Sequence, residues 1–194
     1  QENVFVAQYG EDGKPDWAIG FAGRDLQRVT AVAADNIGNS IVGGYFLNAF
    51  QVGSSTLTAD GQLSDVALDG FVFKLDSAGT PLWAKQFGGV STDEVIGVAA
   101  DSQGNVVVFG VSNLGGDIVS PPESAPAEFG CGARTLQKNV PTVFLTKLGQ
   151  GGNCLWDRQY ELDTRFYGLY NPAVGLALAV DPNDNIIVTG VSYA

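Results

Sequence analysis

The sequence predicts an all-β fold assembled from repeated antiparallel units, and three observations predict it. One block of residues recurs three times along the chain. Runs such as Val106-Val-Val-Phe109 and Ile186-Ile-Val-Thr189 are apolar at successive positions and rich in β-branched residues, the pattern of strands buried on both faces. The 26 glycines fall largely between such runs, where short strands need tight turns.

The repeat is read position by position. Phe5-Val-Ala-Gln-Tyr9, Phe71-Val-Phe-Lys-Leu75 and Phe144-Leu-Thr-Lys-Leu148 align without gaps. Trp17, Trp83 and Trp156 follow eight residues later, each with a Gly four residues before it (Gly13, Gly79, Gly152) and an aromatic four residues after (Phe21, Phe87, Tyr160). A second block comes next: Ala34-Asp-Asn-Ile-Gly-Asn39, Ala100-Asp-Ser-Gln-Gly-Asn105 and Val180-Asp-Pro-Asn-Asp-Asn185. Measured at the Phe, the period is 66 residues and then 73; separately, the third copy carries about seven extra residues between Trp156 and Asp181. Asp-x-x-Gly-Asn and Asp-Ser-Ala-Gly read as hairpin turns, with Asp bonding backbone N–H groups and Gly or Asn taking the positive φ; Asp184 takes that place in the third copy.

These units predict β-propeller blades, each a four-stranded antiparallel sheet of strands a to d, with strand a placed at the axis by analogy with related propellers. A blade between two neighbours buries both faces, as the apolar runs require. Strand a is expected near Val29–Asp35 and Val95–Asp101, and strand b near Asn39–Phe46 and Asn105–Ser112. Strand c follows near Gly70–Asp76 and Thr142–Gly149, and strand d near Pro81–Gly88 and Cys154–Glu161. The domain reading is one partial ring over residues 1–194: a c–d half blade at 1–28, blades at 29–94 and 95–172, and an a–b half blade at 173–194. That makes three repeat units, whereas closed propellers typically have four to eight blades. The remaining blades are expected from the same longer chain or from a second copy, two copies making a six-bladed ring. The chain starts at Gln1 and has no Met, which fits a processed chain or a fragment of a longer one.

The long connections Leu47–Asp69, Asn113–Pro141 and Leu162–Pro172 all fall on one face. Function concentrates on long loops held by a rigid scaffold, so Asp93, Glu94, Asn48 and Asp117 on that face are the candidate binding residues. Asp93-Glu94, placed in a d–a connection, suit a cation or a sugar hydroxyl and equally read as a solvated turn. The alternative for the insertions themselves is that they cover blade edges. Asp181-Pro-Asn-Asp-Asn185 is rich in oxygen ligands but lacks the Gly and terminal Glu of an EF-hand loop.

Composition narrows the function classes. Net charge is −11 and the ten Lys and Arg are scattered, which argues against a nucleic-acid partner. No apolar run approaches 20 residues, so no membrane-spanning helix is expected. The chain contains no His, which removes Ser–His–Asp and Cys–His systems and His metal sites. No Walker loop, dinucleotide fingerprint or CxxC is present, and neither a cofactor nor a catalytic or metal-ligating residue is assigned. Cys131 and Cys154 are an even pair suited to a disulfide, or else two buried thiols. Because the layout sets them on opposite faces, a bridge requires the 113–141 insertion to drape down the outer edge.

The block from Asp69-Gly-Phe-Val-Phe-Lys-Leu75 through Trp83 to Gly88-Gly89, with Asp93-Glu94 and Gly97 to Gly110, closely resembles the SBBP-type β-propeller repeat of secreted bacterial proteins. The resemblance implies NHL-like four-stranded blades and an extracellular or cell-surface location. It implies no common activity. The expected function is therefore a non-catalytic binding or scaffold module in adhesion, matrix or appendage assembly, with a protein or glycan ligand. The alternative is the propeller portion of a larger secreted hydrolase or lyase.

Overall fold

A computed structural model describes residues 3–23, 25–60, 68–113, 124–138, 140–161 and 177–190. Every regular element among them is a β-strand, and all pairings are antiparallel. β1 (Val4–Tyr9) and β2 (Pro15–Phe21) form a hairpin. β3 (Gln27–Ala34) and β4 (Ser40–Phe46) lead through a small hairpin, β5 (Ala49–Val52) and β6 (Ser55–Thr58), to β7 (Asp69–Leu75) and β8 (Pro81–Gly89). β9 (Thr92–Ala100) and β10 (Val106–Asn113) are followed by a second inserted hairpin, β11 (Ser124–Glu128) and β12 (Ala133–Gln137), and then by β13 (Thr142–Leu148) and β14 (Cys154–Glu161). β15 (Ala177–Val180) and β16 (Ile186–Thr189) form a last hairpin.

Each repeat is an up-and-down meander. Strands β9, β10, β13 and β14 make a four-stranded sheet. The preceding unit holds six strands rather than the expected four, in the order β12-β11-β8-β7-β4-β3. The extra pair comes from the 113–141 insertion, whose Ala127 and Glu128 pair with Gly89 and Gly88 at the end of β8. An edge strand with unpaired N–H and C=O groups invites such a partner. Among the described residues the sheets remain separate and do not close into a ring.

One carboxylate organises each turn between the first two strands of a unit. Asp35 Oδ1 accepts from the N–H groups of Ile37 and Asn39 at 3.1 and 2.9 Å, and Asn39 Nδ2 donates to Oδ2 at 2.9 Å. Asp101 binds Gln103 and Asn105 in the same way, and Asp181 binds Asn183 and Asn185. The left-handed position is Gly38, Gly104 and then Asp184, at φ 85°, 75° and 64°. A short Asp side chain tolerates that region where most residues do not. The Asp181 loop is thus a hairpin turn like its two counterparts.

Neighbouring sheets stack face to face, and apolar side chains fill the gaps. All seven residues of β7 are buried. Phe71, Phe73 and Leu75 join Val4, Val6 and Phe21 of the first hairpin in one core, which also takes Phe50 and Val52 from the β5–β6 hairpin. Ile41, Val72 and Phe87 join Val95, Val98, Val106 and Phe144 in the other. Close approach requires Gly43, since a Cβ there would lie 2.8 Å from both Val95 and Val98. Two internal ion pairs lock strand one to strand three: Lys74 meets Asp35 at 2.9 Å and Lys147 meets Asp101 at 2.8 Å. Lys74 also donates to the Gly104 carbonyl of the next sheet at 3.0 Å.

Candidate functional site

The most unusual chemistry lies where β7, β8 and β9 meet. Asp69 opens β7, and Asp93 is the second residue of β9. The two carboxyls converge because Gly88, at φ 143°, carries no side chain. A Cβ there would sit 2.7 Å from Asp93 Oδ2 and 3.0 Å from Asp69 Cγ. Both side chains are fully buried. Asp93 Oδ2 accepts from the Gly89 N–H at 3.0 Å and from Ser91 Oγ at 2.9 Å, and Ser112 Oγ lies 3.1 Å from Ser91 Oγ. Asp69 Oδ2 accepts from Gln86 Nε2 at 2.5 Å and from the Asp60 N–H at 3.2 Å. The Oδ1 atoms of both residues are buried without a hydrogen-bond partner among the described residues.

Burial pushes the Asp69 carboxyl up to about 8, aided by the charge of Asp93 and opposed by the hydrogen bonds from Asp60 and Gln86. Burial pushes Asp93 up to about 6, opposed by the nearby Ser112 hydroxyl and by the hydrogen bonds from Ser91 and Gly89. Glu94 is raised by burial and held back by Arg28. At neutral pH the pair therefore holds a proton on Asp69, which leaves one negative charge where two would repel. Neither carboxyl is open to solvent, and the pair is a joint between adjacent units.

This placement corrects the sequence reading. Asp93 and Glu94 lie within a strand, not in a connection, and Asp93 is not solvated. The strand starts three residues early because Thr92, Asp93 and Glu94 pair with Asn113, Ser112 and Val111 beyond a bulge at Phe109/Gly110. Asn48 is exposed, with φ 62°; its Nδ2 donates to Asp25 Oδ2 at 2.9 Å, and its carbonyl accepts from the Ala59 N–H at 2.7 Å to open the β5–β6 hairpin. Asp117 lies outside the described residues, as does the 162–172 connection. Among the described residues, no group of three or more His, Cys, Asp or Glu is placed to hold a metal ion.

Sequence reasoning misses Asp69. A signal for it exists in the repeat: its counterparts are Asn3 and Thr142, and the counterpart of Asp93 in the first copy is Gln27. Acids at both positions of one junction mark a joint that differs from the amides of the first copy.

Cys131 and Cys154 form a disulfide with Cα atoms 5.1 Å apart. The insertion does drape, and onto the neighbouring sheet. β11 extends β8, while Phe129 stacks on Phe144 at 4.5 Å and its carbonyl accepts from Thr146 Oγ1 at 2.7 Å. Arg134 reaches Asp157 of β14 through two hydrogen bonds. The β5–β6 hairpin likewise lies against β8, where the Thr58 N–H donates to Gln86 Oε1 at 3.1 Å and Gly53 abuts Pro81. The described parts of both insertions thus cover the outermost repeat strand.

No family model matches the chain. Over 113 residues, 57% of its length, the chain is 31% identical to an uncharacterised WD repeat-containing protein of Acanthamoeba polyphaga mimivirus. It spans 8% of that protein's length.

Proposed function

We propose that the stacked sheets are blades of a β-propeller of the SBBP type, acting as a non-catalytic binding or scaffold module at an extracellular or cell-surface site. The observation that carries this reading is the treatment of the insertions. Each folds into a hairpin and packs on the rim strand β8, and one of them is also tied by the disulfide to β14 of the neighbouring sheet. A rigid wheel with braced rim hairpins suits the display of surface to a protein or glycan. The burial of the Asp69–Asp93 pair supports a non-enzymatic role. The likeness to a WD repeat-containing protein supports the propeller, and the disulfide fits an oxidising compartment.

Binding of the labelled chain to glycan and protein arrays tests this reading. Saturable capture of one ligand class is expected, with no turnover of glycoside, ester or peptide reporters. Reproducible turnover by the purified chain, with no ligand captured, would overturn it.

A further inference from the structure

We propose that the β15–β16 hairpin of a second copy of this chain completes the sheet begun by β1 and β2, with β16 pairing antiparallel to β1. The closed ring that results rests on the propeller reading; the pairing itself rests on the repeat.

The internal copies supply the template. In the complete units the second strand pairs with the third in one register, Gly44 opposite Phe71 and Gly110 opposite Phe144. In both, the Phe ring lies over the Gly: a Cβ on Gly44 would come 2.9 Å from Phe71 Cζ, and one on Gly110 would be closer still to Phe144. Both rings are fully buried. Their counterpart in the first copy is Phe5, which is 77% exposed, and among the described residues β1 pairs with β2 on one side alone. The matching Gly of the last copy is Gly190, just beyond β16. The template register is then Ile186 opposite Tyr9, continuing to Gly190 opposite Phe5.

The uncovered surfaces on both sides fit the same joint. Val29 and Val32 of β3 are 38% and 67% exposed, whereas their counterparts Val95 and Val98 are 0% and 6% exposed beneath the preceding sheet. Beside them a hollow of about 400 Å³ runs between β1 and β3, lined by Val4, Phe5, Gln27 and Val29 among others. Ile187 and Val188 of β16 are 55% and 45% exposed, whereas Val107 and Val108 are fully buried. Among the described residues the first sheet holds β1 and β2, the counterparts of β7 and β8, and β15–β16 is the counterpart of β9–β10.

A separate contact points to the same partner. Trp17 and Trp83 each lie on a turn glycine of the following sheet, Gly79 and Gly152, where a Cβ would approach the ring to 2.9 and 3.0 Å. Each indole Nε1 donates to a carbonyl in that turn, Ser77 at 2.9 Å and Gln150 at 2.8 Å. Gly13 has the same turn geometry, φ 76°, yet a Cβ there would meet nothing within 4 Å. The third tryptophan, Trp156, is half-buried on β14. With the hairpins joined as above, Trp156 of one copy faces Gly13 of the other. Gln8 replaces the lysine of the other copies, so Asp181 meets an amide where Asp35 and Asp101 meet Lys74 and Lys147. Two copies joined at both ends contain six sheets under two-fold symmetry, inside the usual propeller range.

Light scattering and sedimentation equilibrium over a range of concentrations test the proposal. The chain of 20.3 kDa is expected to give twice that mass. Phe5→Asp and Gly190→Val alter exposed positions of the single chain and are expected to weaken association at least tenfold with the β-sheet circular dichroism unchanged. A mass of one chain at every concentration would overturn the second copy. So would a dimer indifferent to both substitutions. If a longer polypeptide carrying one more a–b hairpin stays single-copy and shields Phe5, the partner lies in the same chain and the second copy is again overturned, while the propeller reading stands.

Discussion

The indole of Trp83 rests on Gly152 of the next sheet, and its Nε1 donates to the Gln150 carbonyl at 2.8 Å. Gly152 is in the left-handed region at φ 80°, and the ring lies 3.0 Å from where a Cβ would be. Gly152→Ala therefore combines backbone strain with a clash, and a loss of about 2–3 kcal/mol is expected in urea unfolding. Gly13→Ala, with much the same φ but open space, is expected to lose about 1 kcal/mol in the single chain. Equal losses would show that the ring contact contributes nothing.

Lys74 and Asp35 form an ion pair whose side chains are each 1% exposed. Burial raises the Asp35 carboxyl, but Lys74 and Asn39 outweigh it and hold the group below its ordinary value. Lys74→Met strands the Asp35 charge and is expected to cost about 3–5 kcal/mol. Adding Asp35→Asn is expected to recover much of that loss, measured by a double-mutant cycle. Lys147→Met is expected to cost less, since Lys147 is 18% exposed.

Stability is expected to fall with rising pH between about 4 and about 8. Asp69 binds its proton more tightly folded than unfolded, so in that window the native state keeps a proton that the unfolded state has released, and stability falls until the native proton also leaves near about 8. Asp35 and Asp101 act in the opposite sense: their folded values are depressed, and their contribution fades as pH falls below the ordinary carboxylate value. Asp69→Asn is expected to flatten the upper window and to be more stable than the parent at pH 9, by on the order of a few kcal/mol. Thermal unfolding from pH 3 to 9 reads both slopes; a parent curve flat from pH 4 to 8 would refute the buried acid.

The disulfide closes a sequence separation of 23 residues, for which chain entropy gives about 3 kcal/mol. Paired Cys131→Ser and Cys154→Ser are expected to cost that amount and to speed amide exchange in β11 and β12 before any other strand. Exchange rising first in β1 instead would count against this account.

The repeat strands and their turns are legible in the sequence because each is specified locally. Two-faced apolar runs such as Val106–Phe109 become central strands, and Asp101 with Asn105 closes a turn within five residues. The inserted hairpins are not legible. β5 and β6 have four residues each, and β11 is fixed by β8 and Phe144, contacts far away in sequence. The acidic joint is half legible. Asp93 stands out but reads as part of a loop, since Ser91-Thr92-Asp93-Glu94 is as polar as a turn. Its burial comes from Asp69, 24 positions earlier, and from the missing side chain of Gly88.

Stacked repeats ordinarily unravel one at a time, because each touches its neighbours alone. The β11–β12 hairpin changes this for the two middle sheets. It is hydrogen-bonded into one and covalently tethered to the other. Pulling those sheets apart peels strand from strand on one side before the sulfur bridge on the other bears load. The middle of the molecule is thereby a mechanical clamp.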